Sequence, residues 1–278
     1  MTKPRRACII GHPVKHSRSP MIHGFWLKGF GLEGSYERED VTPDALEGFL
    51  RGLAARGYVG GNVTIPHKEA AFGTVDRRTA RAEALGAVNT VWFEDGLLWG
   101  DNTDVTGFLA NLDDRAPGWD HGLDKAVVLG AGGAAAAIVA GIKERGAKRI
   151  FVANRTAEKT EALIRRFGSV VEAAAWPPSA ATFAAADLLV NTTSLGMDGK
   201  PGLDIDLAGL PAQAVVTDAV YVPLETELLA NAAARGLRTV DGLGMLLHQA
   251  VPGFERWFGR RPVVTPELRA LVEADIGR

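Results

Sequence analysis

Short apolar runs, each closed by glycine, proline or a polar pair, recur along the chain. Runs of this length read as buried strands, and the longer periodic stretches between them as helices. In the first hundred residues, strands are predicted at 7–10, 35–41 and 60–65. Ser19 before Pro20 predicts a helix over 20–30, with the serine as cap and the proline at the first position. Thr42-Pro43 predicts another through about residue 55 on the same grounds. Residues 67–72 and 77–85 read as helices, and 87–92 with 97–99 as a hairpin around Glu94-Asp95-Gly96.

From about residue 106 the pattern changes. Strand candidates fall at 126–129, 149–153, 170–172, 188–191, 215–218 and 238–240, with helical stretches between several of them. This alternation predicts an α/β, doubly wound parallel sheet. The Ala-rich segment 173–186, interrupted by Trp176-Pro177-Pro178, predicts a loop with a short helix. Residues 245–257 and 266–276 predict helices. Two units are therefore expected.

At the head of the second unit stands Gly130-Ala131-Gly132-Gly133-Ala134-Ala135, between the strand at 126–129 and an Ala-rich helix. Strand, glycine turn and helix together are the setting of a dinucleotide site, with the pyrophosphate on the helix N-terminus. The third motif position is Ala135, which the fingerprint permits. An NAD site places a carboxylate at the end of the next strand. Here that place holds Asn154-Arg155-Thr156, with Lys159 close behind. Arg155 offers a planar fork of donors suited to a phosphate. NADP is the expected cofactor.

Composition narrows the field further. The chain has 278 residues, 46% hydrophobic and 23% charged, with a net charge of −2. That charge leaves no footprint for nucleic acid, and no apolar run approaches the roughly 18 residues of a membrane span. The apolar segment after Arg5-Arg6 is too short for a signal-peptide core, so a cytoplasmic enzyme is expected. Cys8 is the only cysteine, which excludes an intrachain disulfide and a cysteine metal cluster. The six histidines show no metal-ligand spacing, and no metal is expected.

Three polar clusters precede the glycine turn. In His16-Ser17-Arg18-Ser19-Pro20 two hydroxyls alternate just before a helix start, where a carboxylate would be well held. On spacing alone, Ser19 is equally an N-cap and Ser17 a turn residue. In Asn62-Val63-Thr64-Ile65-Pro66-His67-Lys68 a lysine follows a strand end, where burial and neighbours can tune it for acid–base work. The third cluster joins Gly86-Ala87-Val88-Asn89-Thr90 to Gly100-Asp101-Asn102-Thr103-Asp104, whose Asn89 and Asp104 can bind hydroxyls. Asp104 can also pair with a lysine amine.

Taken together, and with Asn191-Thr192-Thr193-Ser194-Leu195-Gly196-Met197, Asp218, Tyr221, Pro223 and the 242–250 segment, these motifs resemble the shikimate dehydrogenase family almost from end to end. The resemblance implies NADPH-dependent, reversible reduction of 3-dehydroshikimate to shikimate, a step towards chorismate and the aromatic amino acids. It implies Lys68 as the acid–base group with Asp104 as its partner. Ser17 and Ser19 would hold the substrate carboxylate with Tyr221 nearby, while Thr64, Asn89 and Gln249 would meet the ring hydroxyls together with Lys68 and Asp104. Gly130, Ala131, Gly132, Gly133, Ala134, Asn154, Arg155, Thr156, Lys159, Ala219 and Gly242 would hold the cofactor. The family plan implies a substrate domain of residues 1–105 plus 243–278, with an NADP domain of 106–242 inserted between them. Monomer and homodimer are both compatible with it.

Two positions depart from the family pattern: Gly24 stands where asparagine is common, and Ala136 where an arginine often meets the phosphate. Other activities fit parts of the chain. A quinate or dual quinate/shikimate dehydrogenase needs room for one more hydroxyl near Ser17 and Ser19. A catalytically silent ligand sensor would lack Lys68 or Asp104, and both are present. A folate-linked dehydrogenase is disfavoured by the serine pair and Gln249, which suit a small hydroxylated acid.

Overall fold

The computed structural model describes residues 4–277. The chain forms two compact units. The first runs through Thr103 and resumes at Gln249–Asp275; the second comprises Asp104–His248 and the chain end from Ile276.

The first unit carries β1 (Arg5–Gly11), α1 (Ser19–Gly29), β2 (Gly34–Asp40), α2 (Leu46–Arg51), β3 (Tyr58–Val63), α3 (Lys68–Thr74), β4 (Arg77–Arg78), α4 (Ala80–Leu85), β5 (Thr90–Glu94) and β6 (Leu97–Asp101). Its strands form one sheet in the order β2-β1-β3-β5-β6-β4. β1 is parallel to β2 and β3, while β5 runs antiparallel to both β3 and β6.

Three local expectations are corrected. The serine cap before Pro20 is displaced: Ser19 lies inside α1, Arg18 takes the cap position, and the Ser19 N–H donates to Ser17 Oγ at 3.3 Å. Thr42-Pro43 opens only a 3-10 turn, Pro43–Ala45, and α2 stops at Gly52, the residue type that loses most backbone freedom in a helix. The helix expected from residue 77 begins instead at Ala80. Arg77 and Arg78 are drawn into a parallel bridge with β6, and the helix waits for Thr79, whose hydroxyl accepts from Ala82 N–H at 3.2 Å.

The second unit carries α5 (Asp104–Arg115), β7 (Lys125–Leu129), α6 (Ala135–Glu144), β8 (Arg149–Ala153), α7 (Ala157–Phe167), β9 (Val171–Ala174), α8 (Ala180–Phe183), β10 (Leu188–Asn191), β11 (Val215–Asp218), α9 (Glu227–Ala234) and β12 (Arg238–Val240). All six strands are parallel, in the order β12-β11-β10-β7-β8-β9. From β9 inward this is the 3-2-1-4-5-6 order of a dinucleotide-binding sheet. The α/β expectation is borne out. β7 and β10 are buried along their whole length, which is why their sequences, Lys125 and Asn191 at the ends aside, are apolar without alternation. α10 (Leu243–Phe258) leads from the second unit back to the first, which α11 (Pro266–Ile276) completes. No helix among the described residues is long and apolar enough to cross a membrane.

One face of the first sheet packs Cys8, Ile10, Val63 and Val91 against Leu46, Leu50 and Leu53. On its aromatic side, Tyr36 and Trp257 surround His23. The imidazole stacks on Tyr36 with ring centroids 3.9 Å apart and meets Phe254 at 5.9 Å. It has no exposed surface, and neither ring nitrogen has a hydrogen-bond partner. Burial pushes its pKa down to about 3. Below the ordinary histidine pKa of 6.5, an unfolded chain binds a proton at His23 that the folded chain refuses, so stability falls as pH drops through that range. Between pH 7.5 and 5.0, His23→Phe should gain about 2 kcal/mol relative to the wild type, at about 1.4 kcal/mol per full pH unit. Urea unfolding at both pH values measures this gap; a gap independent of pH would show that the buried ring titrates normally.

Candidate active site and cofactor cradle

The register of the first sheet gathers its polar clusters at one edge. β1 and β3 are parallel, with Ile10 beside Val63, so the segments following them emerge together. His12 N–H donates to Ile65 carbonyl at 3.1 Å, and Thr64 N–H to Ile10 carbonyl at 2.9 Å. β5 is antiparallel to β3, with Asn62 opposite Thr90, so its beginning returns to the same edge. Thr90 in turn faces Asp101 at the end of β6. Ser17, Ser19, Thr64, Lys68 and Asn89 thus belong to segments that share this edge.

Each is held by its neighbours. Ser17 carbonyl accepts two bonds from Arg38 of β2, Nη2 at 2.6 Å and Nε at 3.1 Å. Beside it lies a polar cavity of about 320 Å³, to which Lys15, His16, Arg18 and Asp275 also contribute. Arg18 Nε donates to Asp275 at 2.8 Å, which fixes the start of α1 on α11. Lys68 is the first residue of α3, half-buried, and its carbonyl accepts from Val88 N–H at 2.9 Å. His67 is buried before it, with Nε2 at 2.7 Å from Val41 carbonyl. Asn89 is buried; its Oδ1 accepts from Thr103 N–H at 2.8 Å and from the hydroxyls of Thr90 and Thr103 at 3.0 and 3.1 Å. Asn62 lies below, donating to Asn89 carbonyl and Thr90 Oγ1 and accepting from Tyr36 hydroxyl at 2.6 Å. Gln249 is half-buried on α10. Arg38 and Asn62 are supports the sequence reading gave no role; nothing short-range marks them.

In the second unit the candidates line the C-terminal edge of the parallel sheet, where such folds bind ligands. The chain turns at Gly130, whose φ is +96°. A Cβ there would lie 2.8 Å from Thr192 Oγ1 and Thr193 Cγ2, so conformation and space both demand glycine. Gly132 and Gly133 are exposed, with nothing within 4 Å of an added Cβ. α6 then begins with no side-chain cap and no acidic residue in its first turn. Its first N–H groups and the positive end of its dipole suit an anion. Ala131 N–H donates to Asn154 Oδ1 at 3.2 Å, and Asn154 Nδ2 donates to Thr156 carbonyl at 2.8 Å. Arg155, Thr156 and Lys159 are exposed at the end of β8 and the start of α7; the acidic residue of that first turn is Glu158. Along the edge, Ala219 follows β11 and packs on Gly242, where an added Cβ would lie 2.6 Å from Ala219 carbonyl oxygen. Tyr221, half-buried, ends this loop, and Asp104 is buried at the head of α5.

The open glycine turn, the uncapped helix and the cationic end of β8 fit a dinucleotide bearing a 2′-phosphate. Among the described residues no group of three or more His, Cys, Asp or Glu side chains could hold a metal. Fold and edge together define a dinucleotide-binding α/β protein.

Similarity to known proteins narrows this class. The family model for the shikimate dehydrogenase substrate binding domain matches residues 9–91, that for shikimate / quinate 5-dehydrogenase residues 118–196, and that for the shikimate 5′-dehydrogenase C-terminal domain residues 242–265. The chain belongs to the shikimate dehydrogenase family. A shikimate dehydrogenase (NADP(+)) from Rhodopseudomonas palustris (strain BisB18) is 57% identical over 276 residues, covering 99% of each chain. Among solved structures, quinate dehydrogenase from Corynebacterium glutamicum in complex with NAD has a TM-score of 0.89 at 32% identity, covering 98% of this chain and 99% of that one. Shikimate 5-dehydrogenase from Thermus thermophilus, in complex with NADP(H) and shikimate, has a TM-score of 0.83 at 37% identity, covering 98% and 99%.

Proposed function

We propose that this chain is an NADP-dependent shikimate dehydrogenase that reversibly reduces 3-dehydroshikimate to shikimate. The observation that carries this reading is the shared sheet edge of the Ser17, Thr64–Lys68 and Asn89 segments, in a chain 57% identical to a relative of that name. Residues 1–105 with 243–278 are proposed as the substrate domain and 106–242 as the cofactor domain.

Ser17 and Ser19 bind the carboxylate, with Tyr221 nearby. Thr64, Asn89 and Gln249 orient the ring hydroxyls. Lys68, as ammonium, donates a proton to the carbonyl oxygen as that oxygen gains charge; as the amine, it takes the proton back in the oxidative direction. Asp104 pairs with Lys68 and fixes the direction of its amine. The backbone of 130–134 and the first turn of α6 take the pyrophosphate, while Asn154, Arg155, Thr156 and Lys159 take the adenosine end. Ala219 and Gly242 flank the nicotinamide. When bound, the cofactor supplies the hydride. The enzyme acts in the cytoplasm as a monomer or homodimer, without nucleic-acid or membrane partners.

The likeness to quinate dehydrogenase favours one second reading, in which quinate is also oxidised. Initial rates with shikimate or quinate, each with NADP⁺ or NAD⁺, decide between them. The expected result is a large preference for shikimate with NADP⁺. Comparable quinate turnover would make the enzyme dual-specific, and no turnover with any pair would overturn the dehydrogenase reading.

A further inference from the structure

Beneath the C-terminal edge of the second sheet lies a buried polar network outside all the roles above. At its centre is Asp218, the last residue of β11, 1% exposed. Its Oδ1 accepts from Asn191 Nδ2 and from Val220 N–H, both at 2.9 Å. Its Oδ2 accepts from the Thr226 hydroxyl at 2.8 Å. Asn191 and Thr226 are buried as well. Asn191 extends the network: its Oδ1 accepts from Thr193 N–H at 3.0 Å and the Thr193 hydroxyl at 2.8 Å, and its carbonyl accepts from Ala219 N–H at 2.9 Å. Thr226 also caps α9, accepting from Leu229 N–H at 3.4 Å. One carboxylate therefore ties together the end of β10, the turn after β11 and the start of α9.

Placing a carboxylate here is unfavourable in itself. Burial pushes the Asp218 pKa up to about 6, against three hydrogen bonds that pull it down. A well-packed apolar group often serves stability equally well at such a place, so the network calls for another explanation. That explanation is the backbone it fixes. Ala219 is held at its N–H by Asn191 and Val220 at its N–H by Asp218, while Ala219 carbonyl lies against Gly242. The turn has its amides anchored from below and its carbonyl packed from the side.

We infer that Asp218, with Asn191 and Thr226, is a positioning residue that sets the 219–221 turn and Gly242 for the nicotinamide end of NADP. The inference rests on the reading that Ala219 and Gly242 flank that end of the cofactor. The network acts through the turn, and the adenosine end at Arg155 lies on the far strands of the sheet, beyond β7.

The test uses the intact enzyme and two probes. NADP⁺ engages both ends of the cradle; adenosine 2′,5′-bisphosphate carries the 2′-phosphate but has no nicotinamide. Thr226→Val should raise the KM for NADP⁺ about tenfold, the size of one hydrogen bond to a charged group. The Ki of the bisphosphate should stay unchanged, and Thr226→Ser should restore the wild-type KM for NADP⁺. Asp218→Asn should move the same constant in the same direction. A parallel rise in KM for NADP⁺ and Ki for the bisphosphate would mark general damage to the unit and overturn the proposal. No change in either constant would overturn it too. Gly242→Ala separates the proposal from its premise. If it raises the KM for NADP⁺ while the network variants do not, only the positioning role fails. If it leaves both constants unchanged, the reading of the nicotinamide end fails and the inference falls with it.

Discussion

Lys68→Gln should slow shikimate oxidation by about 10²- to 10⁴-fold in kcat, the range contributed by a well-placed general acid or base. Shikimate affinity, read by calorimetry in the presence of NADP⁺, should change much less, because in the proposed site the serine pair and Asn89 still hold the substrate. The geometry supports this split between rate and binding. Lys68 begins α3 directly after buried His67, and its carbonyl is pinned by Val88 N–H, so its backbone is fixed whatever side chain it carries. The glutamine variant can donate a hydrogen bond but has no proton to give up at neutral pH. A variant with raised KM and nearly normal kcat would reassign Lys68 to substrate binding and leave the proton donor to be found elsewhere.

The second large effect concerns the choice of cofactor. Arg155→Ala should lower the ratio of kcat/KM for NADP⁺ over NAD⁺ by about 10- to 100-fold, since hydrogen bonds to charged groups contribute about 1.5–3 kcal/mol and each 1.4 kcal/mol is tenfold. Nearly all of the change should fall on NADP⁺, with NAD⁺ kinetics little altered. Arg155 is exposed and its backbone follows Asn154, which is tied to both Ala131 and Thr156, so its loss leaves the glycine turn in place. The full effect is tempered by Lys159, which stays close by in the first turn of α7. An unchanged ratio would show that the 2′-phosphate is read by other groups.

These residues could be found from sequence because they sit where the chain changes direction. Buried parallel strands such as β7 and β10 need unbroken apolar runs, and glycine or asparagine must follow, so strand ends and the residues just beyond them stand out. Ser17, Lys68, Asn89 and Arg155 are all of this kind. Their pairing is not legible in this way, even where a support such as Asp218 also closes a strand. Arg38 reaches Ser17 across 21 positions, Asn62 reaches Asn89 across 27, and Asp218 reaches Asn191 across 27. Each link depends on strand register, which no short window contains. Local propensity failed where a tertiary partner outbid it: Arg77 and Arg78 have helical neighbours but pair with β6. It failed again at Ser19, whose amide is taken by Ser17 Oγ while Arg18 becomes the cap residue.

Apart from the chain end from Ile276, the second unit is one stretch from Asp104 to His248, whereas the first needs residues 249–275 to be complete. During synthesis the nucleotide-type sheet has all its strands once β12 has left the ribosome. The earlier-made sheet is still missing Phe254 and Trp257, the rings that cover His23 and Tyr36. The Trp257 indole N–H also donates to Val91 carbonyl at 2.9 Å, a bond between residues 166 positions apart. The part of the chain translated first is therefore the last to reach its final packing. Contacts of such long sequence separation are slow to form, and partly assembled sheets expose apolar surface while they wait. A nascent chain stalled before α10 would present one sheet with all its strands and one open aromatic face, a state exposed to aggregation.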